Sequence, residues 1–106
     1  MPKSSDRGPK GKTEVLTRPK VKRPPLYRVI LHNDDYTTQE FVIEVLQHFF
    51  YKTFEEALML MLAIHHTGKG IGGVYPHDIA VTKIRQIEAH ASKCEMPLRL
   101  SLEPDE

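Results

Sequence analysis

Apolar and polar residues alternate with two different periods along the chain, and the change from one period to the other predicts six secondary-structure elements. A first apolar run at residues 26–31, rich in β-branched and aromatic side chains, stops at Asn33, Asp34 and Asp35, which favour turns. This pattern predicts a strand. Residues 98–102 alternate leucine with polar side chains, the period-two pattern of a half-buried strand that ends the chain.

Helical spacing marks the two segments that follow the first strand. Thr37, with Glu40 three residues later, has the form of a capping box, and apolar residues then recur every three or four positions. Thr53 and Glu56 repeat the signature before a second periodic segment, which stops at Gly68 because glycine favours the left-handed conformation found after helix ends. We therefore expect one helix capped by Thr37 and a second between Thr53 and Gly68.

The remaining elements begin with a glycine-rich segment at residues 70–75, which predicts a kinked or closely packed strand. Pro76 then opens a third helix that ends before Pro97, with Asp78 in its first turn. Four apolar residues share one face of this helix: Ala80, Ile84, Ile87 and Ala91. The order β-α-α-β-α-β predicts an α+β sandwich, in which three helices pack on a small three-stranded antiparallel sheet.

The charges are divided unevenly between two parts of the chain. Residues 1–25 hold eight Lys and Arg against two acids, whereas the other 81 residues hold seven Lys and Arg against twelve acids. Residues 1–24 also contain four prolines, two glycines and few large apolar side chains, too few to offset the entropy lost on ordering. We therefore expect a disordered basic tail at residues 1–24 and one folded domain at residues 25–104.

The composition argues against several classes of function. No apolar run is long enough for a membrane span or a secretory signal, so we expect a cytoplasmic protein with no membrane partner. An acidic domain would repel nucleic acid. The single cysteine, Cys94, has no second thiol or evident base, and no two histidines stand four residues apart. We expect neither a metal, another cofactor nor an enzymatic activity.

Two groups of residues are candidates for binding. In the loop after the first strand, Asp34 and Asp35 supply more acid than a turn needs, so their oxygens could meet a cation. The alternative is a turn that only ends the strand. On the second helix, His65 shares a face with Met61 and Ile64, and is either a core histidine or part of a site with an apolar wall.

Several motifs together resemble the ClpS adaptors of the bacterial N-degron pathway. The resemblance begins with a continuous run at residues 27–37, followed by Glu40-Phe41-Val42. Further matches occur in the same order at His65, Gly68-Lys69-Gly70, Gly73-Val74-Tyr75, Thr82-Lys83 and Pro97-Leu98. The resemblance extends from about residue 24 to about residue 103.

The resemblance implies an adaptor that binds the free amino-terminal residue of a substrate beginning with Leu, Phe, Tyr or Trp. The adaptor then delivers this substrate to the ClpA unfoldase of the ClpAP protease and performs no catalytic step. It implies that Asn33, Asp34 and His65 hold the α-amino group. The implied side-chain pocket consists of Asp35, Thr37, Gln39, Val42, Met61, Ile64 and Leu98. Asp78 and Lys83 match positions that contact the amino-terminal domain of the unfoldase, and the basic tail matches a segment engaged during hand-over.

Two neighbouring departures from the family pattern bear on specificity. Gln39 stands where these adaptors commonly carry Met, and Thr38 where they carry Pro, so we expect a more polar pocket rim and a shifted preference among Leu, Phe, Tyr, Trp, Ile and Val.

Two other functions remain open at this point, because a fold alone does not fix function. They are a metal-dependent hydrolase that uses the acidic loop and His65, and an interaction domain like that of the ribosomal stalk.

Overall fold

In the computed structural model, which describes residues 23–106, three strands and three helices follow one another in the predicted order. Their bounds are β1 Leu26–His32, α1 Gln39–Phe49, α2 Phe54–Thr67, β2 Lys69–Pro76, α3 His77–Lys93 and β3 Arg99–Pro104. The predicted disordered tail, residues 1–24, lies outside the described residues except for its last two.

Strand β1 is the centre of a three-stranded sheet with the order β2-β1-β3, and it pairs antiparallel with both neighbours. Val29 and Leu31 of β1 are fully shielded from solvent. Together with these two residues, buried apolar side chains of the three helices form one hydrophobic core: Phe41, Val42, Val45, Leu46, Ala57, Met61, Ile64, Ala80, Ile87 and Ala91. The predicted α+β sandwich is confirmed.

The glycine-rich strand β2 has the predicted kink. The pairing register of β1 and β2 shifts at Gly72, which is the extra residue of a β-bulge. A Cβ atom at Gly72 would lie 2.8 Å from side-chain carbons of both Leu31 and Phe50. Only glycine therefore lets β2 approach the core this closely.

The predicted start of α1 is wrong by one residue. Thr38 is the N-cap, because its hydroxyl accepts a hydrogen bond from the Phe41 N–H at 3.1 Å. Thr37 instead donates its hydroxyl to the Asp34 carboxylate at 2.7 Å. Because Thr37 is hydrogen-bonded to Asp34, Thr38 caps the helix instead. The predicted capping box between Thr37 and Glu40 therefore does not form.

Both predicted ends of α2 are confirmed. Thr53 and Glu56 bond each other's backbone N–H groups at 2.9 and 3.1 Å, which is a complete capping box. Gly68 follows the last turn with a φ of 101° and donates its N–H to the Ile64 carbonyl at 2.8 Å. Only residues 50–53 separate α1 from α2, so the two helices form an antiparallel hairpin and the start of α1 lies beside the end of α2.

Candidate functional site

The loop at residues 33–38 joins β1 to α1 and lies against the end of α2. The Asn33 N–H donates a hydrogen bond to the Gly68 carbonyl at 2.9 Å, which extends the pairing of β1 and β2 by one bond. Because Gly68 ends α2 and His65 lies in its last turn, this bond brings the acidic loop and His65 to the same end of the molecule.

Within this loop the Asp34 carboxylate is the acceptor for three donors. One oxygen accepts the backbone N–H groups of Tyr36 and Thr37 at 2.8 and 2.7 Å, and the other accepts the Thr37 hydroxyl at 2.7 Å. The expectation that Thr37 caps α1 is therefore wrong, and the Asp34 oxygens that were expected to meet a cation also bind the loop. A carboxylate offers about four acceptor positions, so Asp34 orders the loop and still has room to accept one more donor.

These contacts also determine the ionisation of Asp34. Burial alone would raise the pKa of this carboxyl, but the hydrogen bonds from Thr37 and Tyr36 and the attraction of Arg99 outweigh burial, so the pKa lies below its ordinary value of 3.8. Asp34 consequently carries a negative charge throughout the neutral pH range.

Between this loop, the first turn of α1 and the last turns of α2 lies a cavity of about 370 Å³. Val42, Met61 and Ile64 form an apolar wall, since each is less than a tenth exposed. The polar lining consists of Asn33, Asp34, Asp35, Thr37, Thr38, Gln39, Glu40 and His65. This volume is near the lower limit for ligand-binding pockets, and the cavity has an apolar wall and a polar mouth. Such a cavity suits one amino-acid residue better than a large cofactor.

The cavity brings together all but one of the residues predicted to bind an amino-terminal residue. The exception is Leu98, which belongs to the hydrophobic core and is not among the residues that line the cavity. Thr38, expected only to make the pocket rim more polar, and Glu40, expected only in a capping box, also line the cavity. Their positions follow from the true start of α1, which places the first helical turn at the cavity mouth.

Three carboxylates line the cavity, from Asp34, Asp35 and Glu40, whereas His65 is the one lining side chain that can carry a positive charge. The cavity therefore favours a cation over an anion. The amide oxygen of Asn33 can add a further hydrogen-bond acceptor to the cavity, and the imidazole of His65 a further hydrogen-bonding group.

A second, shallower cleft of about 260 Å³ lies on α3 and contains both residues predicted to contact an unfoldase. Asp78 and Lys83 line it together with Ile79, Thr82 and Gln86. The Asp78 side chain is fully exposed, while Lys83 donates a hydrogen bond to the Phe49 carbonyl at 2.8 Å.

Among residues 23–106, no group of three or more side chains with metal-ligating atoms is placed to hold an ion. In the same range no helix is both long and apolar enough to span a membrane.

Residues 22–101 match the family model described as the ATP-dependent Clp protease adaptor protein ClpS. The chain belongs to the ClpS family. A ClpS adaptor of Myxococcus xanthus is 52% identical over 94 residues, which cover 89% of this chain and 88% of that protein. A ClpS adaptor of Deinococcus radiodurans is 49% identical over 98 residues, covering 92% of this chain and 87% of its own. The similarity therefore extends over nearly the whole length of these ClpS proteins.

A solved structure of a ClpS protein has the same fold. The structure of Agrobacterium tumefaciens ClpS2 bound to L-phenylalaninamide superposes with a TM-score of 0.75 at 36% sequence identity, covering 78% of this chain and all of that chain. Its ligand is a single amino acid whose carboxyl group is blocked and whose α-amino group is free.

Proposed function

We propose that this ClpS adaptor binds the free amino terminus of proteins that begin with Leu, Phe, Tyr or Trp and delivers them to a ClpA-type unfoldase of the ClpAP protease. The observation that carries the proposal is the cavity at the start of α1, where acceptors surround the mouth and apolar side chains form the wall. The phenylalaninamide bound to the related ClpS2 is a ligand of this chemical kind.

The α-amino group is assigned to Asn33, Asp34 and His65. An α-amino group has a reference pKa of about 7.7–8.0, so it enters at neutral pH as a cation with three donors. Asp34 contributes a carboxylate that its own loop holds in place, and Asn33 and His65 contribute an amide oxygen and an imidazole nitrogen. Because the Asp34 carboxylate is held by its own loop before the ligand arrives, little ordering entropy of this acceptor is lost on binding.

The first side chain of the substrate is assigned to the wall formed by Val42, Met61 and Ile64, with Asp35, Thr37 and Gln39 at the rim. Leu98 belongs to the same hydrophobic core as the residues of this wall. Hydrogen bonds to a charged group contribute about 1.5–3 kcal/mol each, and burial of a large apolar side chain contributes a similar amount. After the cost of association, a dissociation constant on the order of micromolar is expected.

Delivery requires a second surface that stays accessible while the cavity is filled. The α3 cleft with Asp78 and Lys83 meets this requirement, because none of its lining residues lines the cavity. We assign the amino-terminal domain of the unfoldase to this cleft and the basic residues of the amino-terminal tail to hand-over. An adaptor with these two surfaces needs no catalytic step of its own.

The proposal is tested by titrating the purified chain with labelled peptides that differ only in their first residue. Peptides beginning with Phe, Leu, Tyr or Trp should bind at least about tenfold more tightly than those beginning with Gly or Glu, since only the former fill the apolar wall. Equal affinity for all first residues would refute the assignment of the cavity.

A further inference from the structure

Tyr51, directly after α1, has an unusual backbone conformation. Its φ is 56°, in the left-handed region that glycine or asparagine normally occupies after a helix. The side chain is also 80% exposed, so burial of the aromatic ring does not compensate for the strain. An exposed aromatic residue held in a sparsely populated conformation requires another explanation.

Lys83 lies against both Tyr51 and the end of α1. The Lys83 ammonium donates a hydrogen bond to the carbonyl of Phe49, the last residue of α1, at 2.8 Å. The same ammonium lies 5.1 Å from the centre of the Tyr51 ring and 5.3 Å from that of Tyr75, both within range of a cation–π interaction. Lys83 therefore links the end of α1, the exposed ring of Tyr51 and the half-buried ring of Tyr75.

The surface next to Tyr51 has the composition of a protein-binding site. Lys83 lines the α3 cleft, whose other members include Ile79, 51% exposed, and the fully exposed Asp78. Lys83 thus connects an exposed tyrosine to a cleft that contains an exposed aliphatic residue and charged groups, and exposed aromatic residues are enriched among those that dominate protein–protein interfaces. Tyr51 extends the cleft beyond the residues that line it.

We infer that Tyr51 is an aromatic anchor for the Clp unfoldase, and that Lys83 acts mainly by presenting this ring. The inference rests on the proposed function, which assigns the unfoldase to the α3 cleft. Two observations favour this occupant. The chain belongs to a family of protease adaptors, which need a surface for the protease. Moreover, α1 begins at the cavity and ends at Phe49, about 15 Å along the helix axis and two residues before Tyr51, so both surfaces can be occupied together.

The first part of the test replaces Tyr51 with asparagine, which removes the ring and tolerates a left-handed backbone. We expect Tyr51→Asn in the full chain to bind the full-length ClpA-type unfoldase about tenfold or more weakly, with unchanged peptide affinity and a melting temperature within about 2 °C of the parent. Tyr36→Asn is the matched control, because Tyr36 is also 80% exposed but lies in the cavity loop; its unfoldase affinity should equal that of the parent.

The second part separates presentation of the ring from direct contact by the lysine. Lys83→Met removes the ammonium and keeps most of the aliphatic stem. If Lys83 acts through Tyr51, the double variant should bind the unfoldase no more weakly than Tyr51→Asn alone, to within about twofold. Losses that multiply in the double variant would show that Lys83 contacts the unfoldase directly and would overturn this part of the inference.

The outcomes also distinguish the inference from the function on which it rests. If the parent chain binds the unfoldase and Tyr51→Asn binds equally well, the anchor is refuted while the adaptor function stands. If the parent chain does not bind the unfoldase at all, the proposed function fails and the anchor fails with it.

Discussion

The substrate cavity and the α3 cleft are stabilised in different ways. At the cavity, Asp34 gathers donors from residues two and three positions further along the chain, so a local loop supplies the charged acceptor. At the cleft, Lys83 bonds Phe49, which is 34 residues away, and touches two tyrosine rings from two other segments. A substitution in the Asp34 loop should therefore weaken ligand binding at the cavity without affecting the cleft. A substitution of Lys83 should alter the cleft and also destabilise the carboxyl-terminal end of α1.

The sharpest difference is expected for Asp34→Ala. This change removes three hydrogen bonds from the loop and the charge that we propose meets the α-amino group, so peptide affinity should fall about 100-fold or more. The free energy of unfolding should fall by about 2 kcal/mol, measured by urea denaturation. Asp35→Ala is the control, because Asp35 is exposed, and it should cost less than about tenfold. Equal losses for both variants would contradict the role of Asp34.

Lys83→Met should have the complementary effect. The Phe49 carbonyl loses its hydrogen-bond donor, and the carboxyl-terminal end of α1 loses a nearby positive charge that its dipole favours. The free energy of unfolding should therefore fall by about 1–2 kcal/mol. Binding of the unfoldase should weaken, while peptide affinity at the cavity stays within about twofold. A large loss of peptide affinity would mean that the two regions are coupled through α1.

Gln39→Met changes the rim of the cavity and should alter selectivity more than affinity. Gln39 is the first residue of α1 and lines the cavity. A bulkier apolar side chain at this position should therefore change the relative affinities of peptides beginning with Leu, Ile and Val. A change of up to about tenfold in these ratios corresponds to one buried methylene or two. Identical rankings for the parent and the variant would show that Gln39 does not contribute to selectivity.

The smallest effect is the pH dependence of the loop. Because the folded pKa of Asp34 lies below 3.8, its ionised form favours the fold, and its stabilisation is fully present above pH 3.8. The stabilisation should be lost as pH falls through the lower folded pKa. Thermal unfolding of the parent and of Asp34→Asn at several acid pH values tests this. The difference in stability between them should shrink with falling pH, and a constant difference would contradict the assignment.

The contrast between local and long-range contacts also explains how much the sequence could predict. The order of elements and the ends of α2 follow from short patterns such as Thr53 with Glu56, and the structure has them as expected. The start of α1 was misplaced because two consecutive threonines could serve as its cap. Asp34 accepts a hydrogen bond from Thr37, which leaves Thr38 as the cap. Hydrophobic periodicity and helix propensity do not predict this side-chain contact.

The candidate site was predictable to a similar degree. Residues of the acidic loop and of one helix face could be named from the sequence, and nine of the ten assigned to the amino-terminal residue line one cavity. That the two groups meet depends on the bond between Asn33 and Gly68, which is a tertiary contact. The sequence does not predict the contact of Lys83 with the end of α1, because no pattern in α3 indicates that the Lys83 side chain reaches the Phe49 carbonyl.

The most direct test of the cavity is a calorimetric titration of the full chain with L-phenylalaninamide and with its N-acetylated form, which has no charge at the amino group. The free amine should bind with about one equivalent per chain, whereas the acetylated form should not bind detectably. Equal binding of the two compounds would show that the cavity does not recognise an α-amino group, and would contradict the proposed function at its centre.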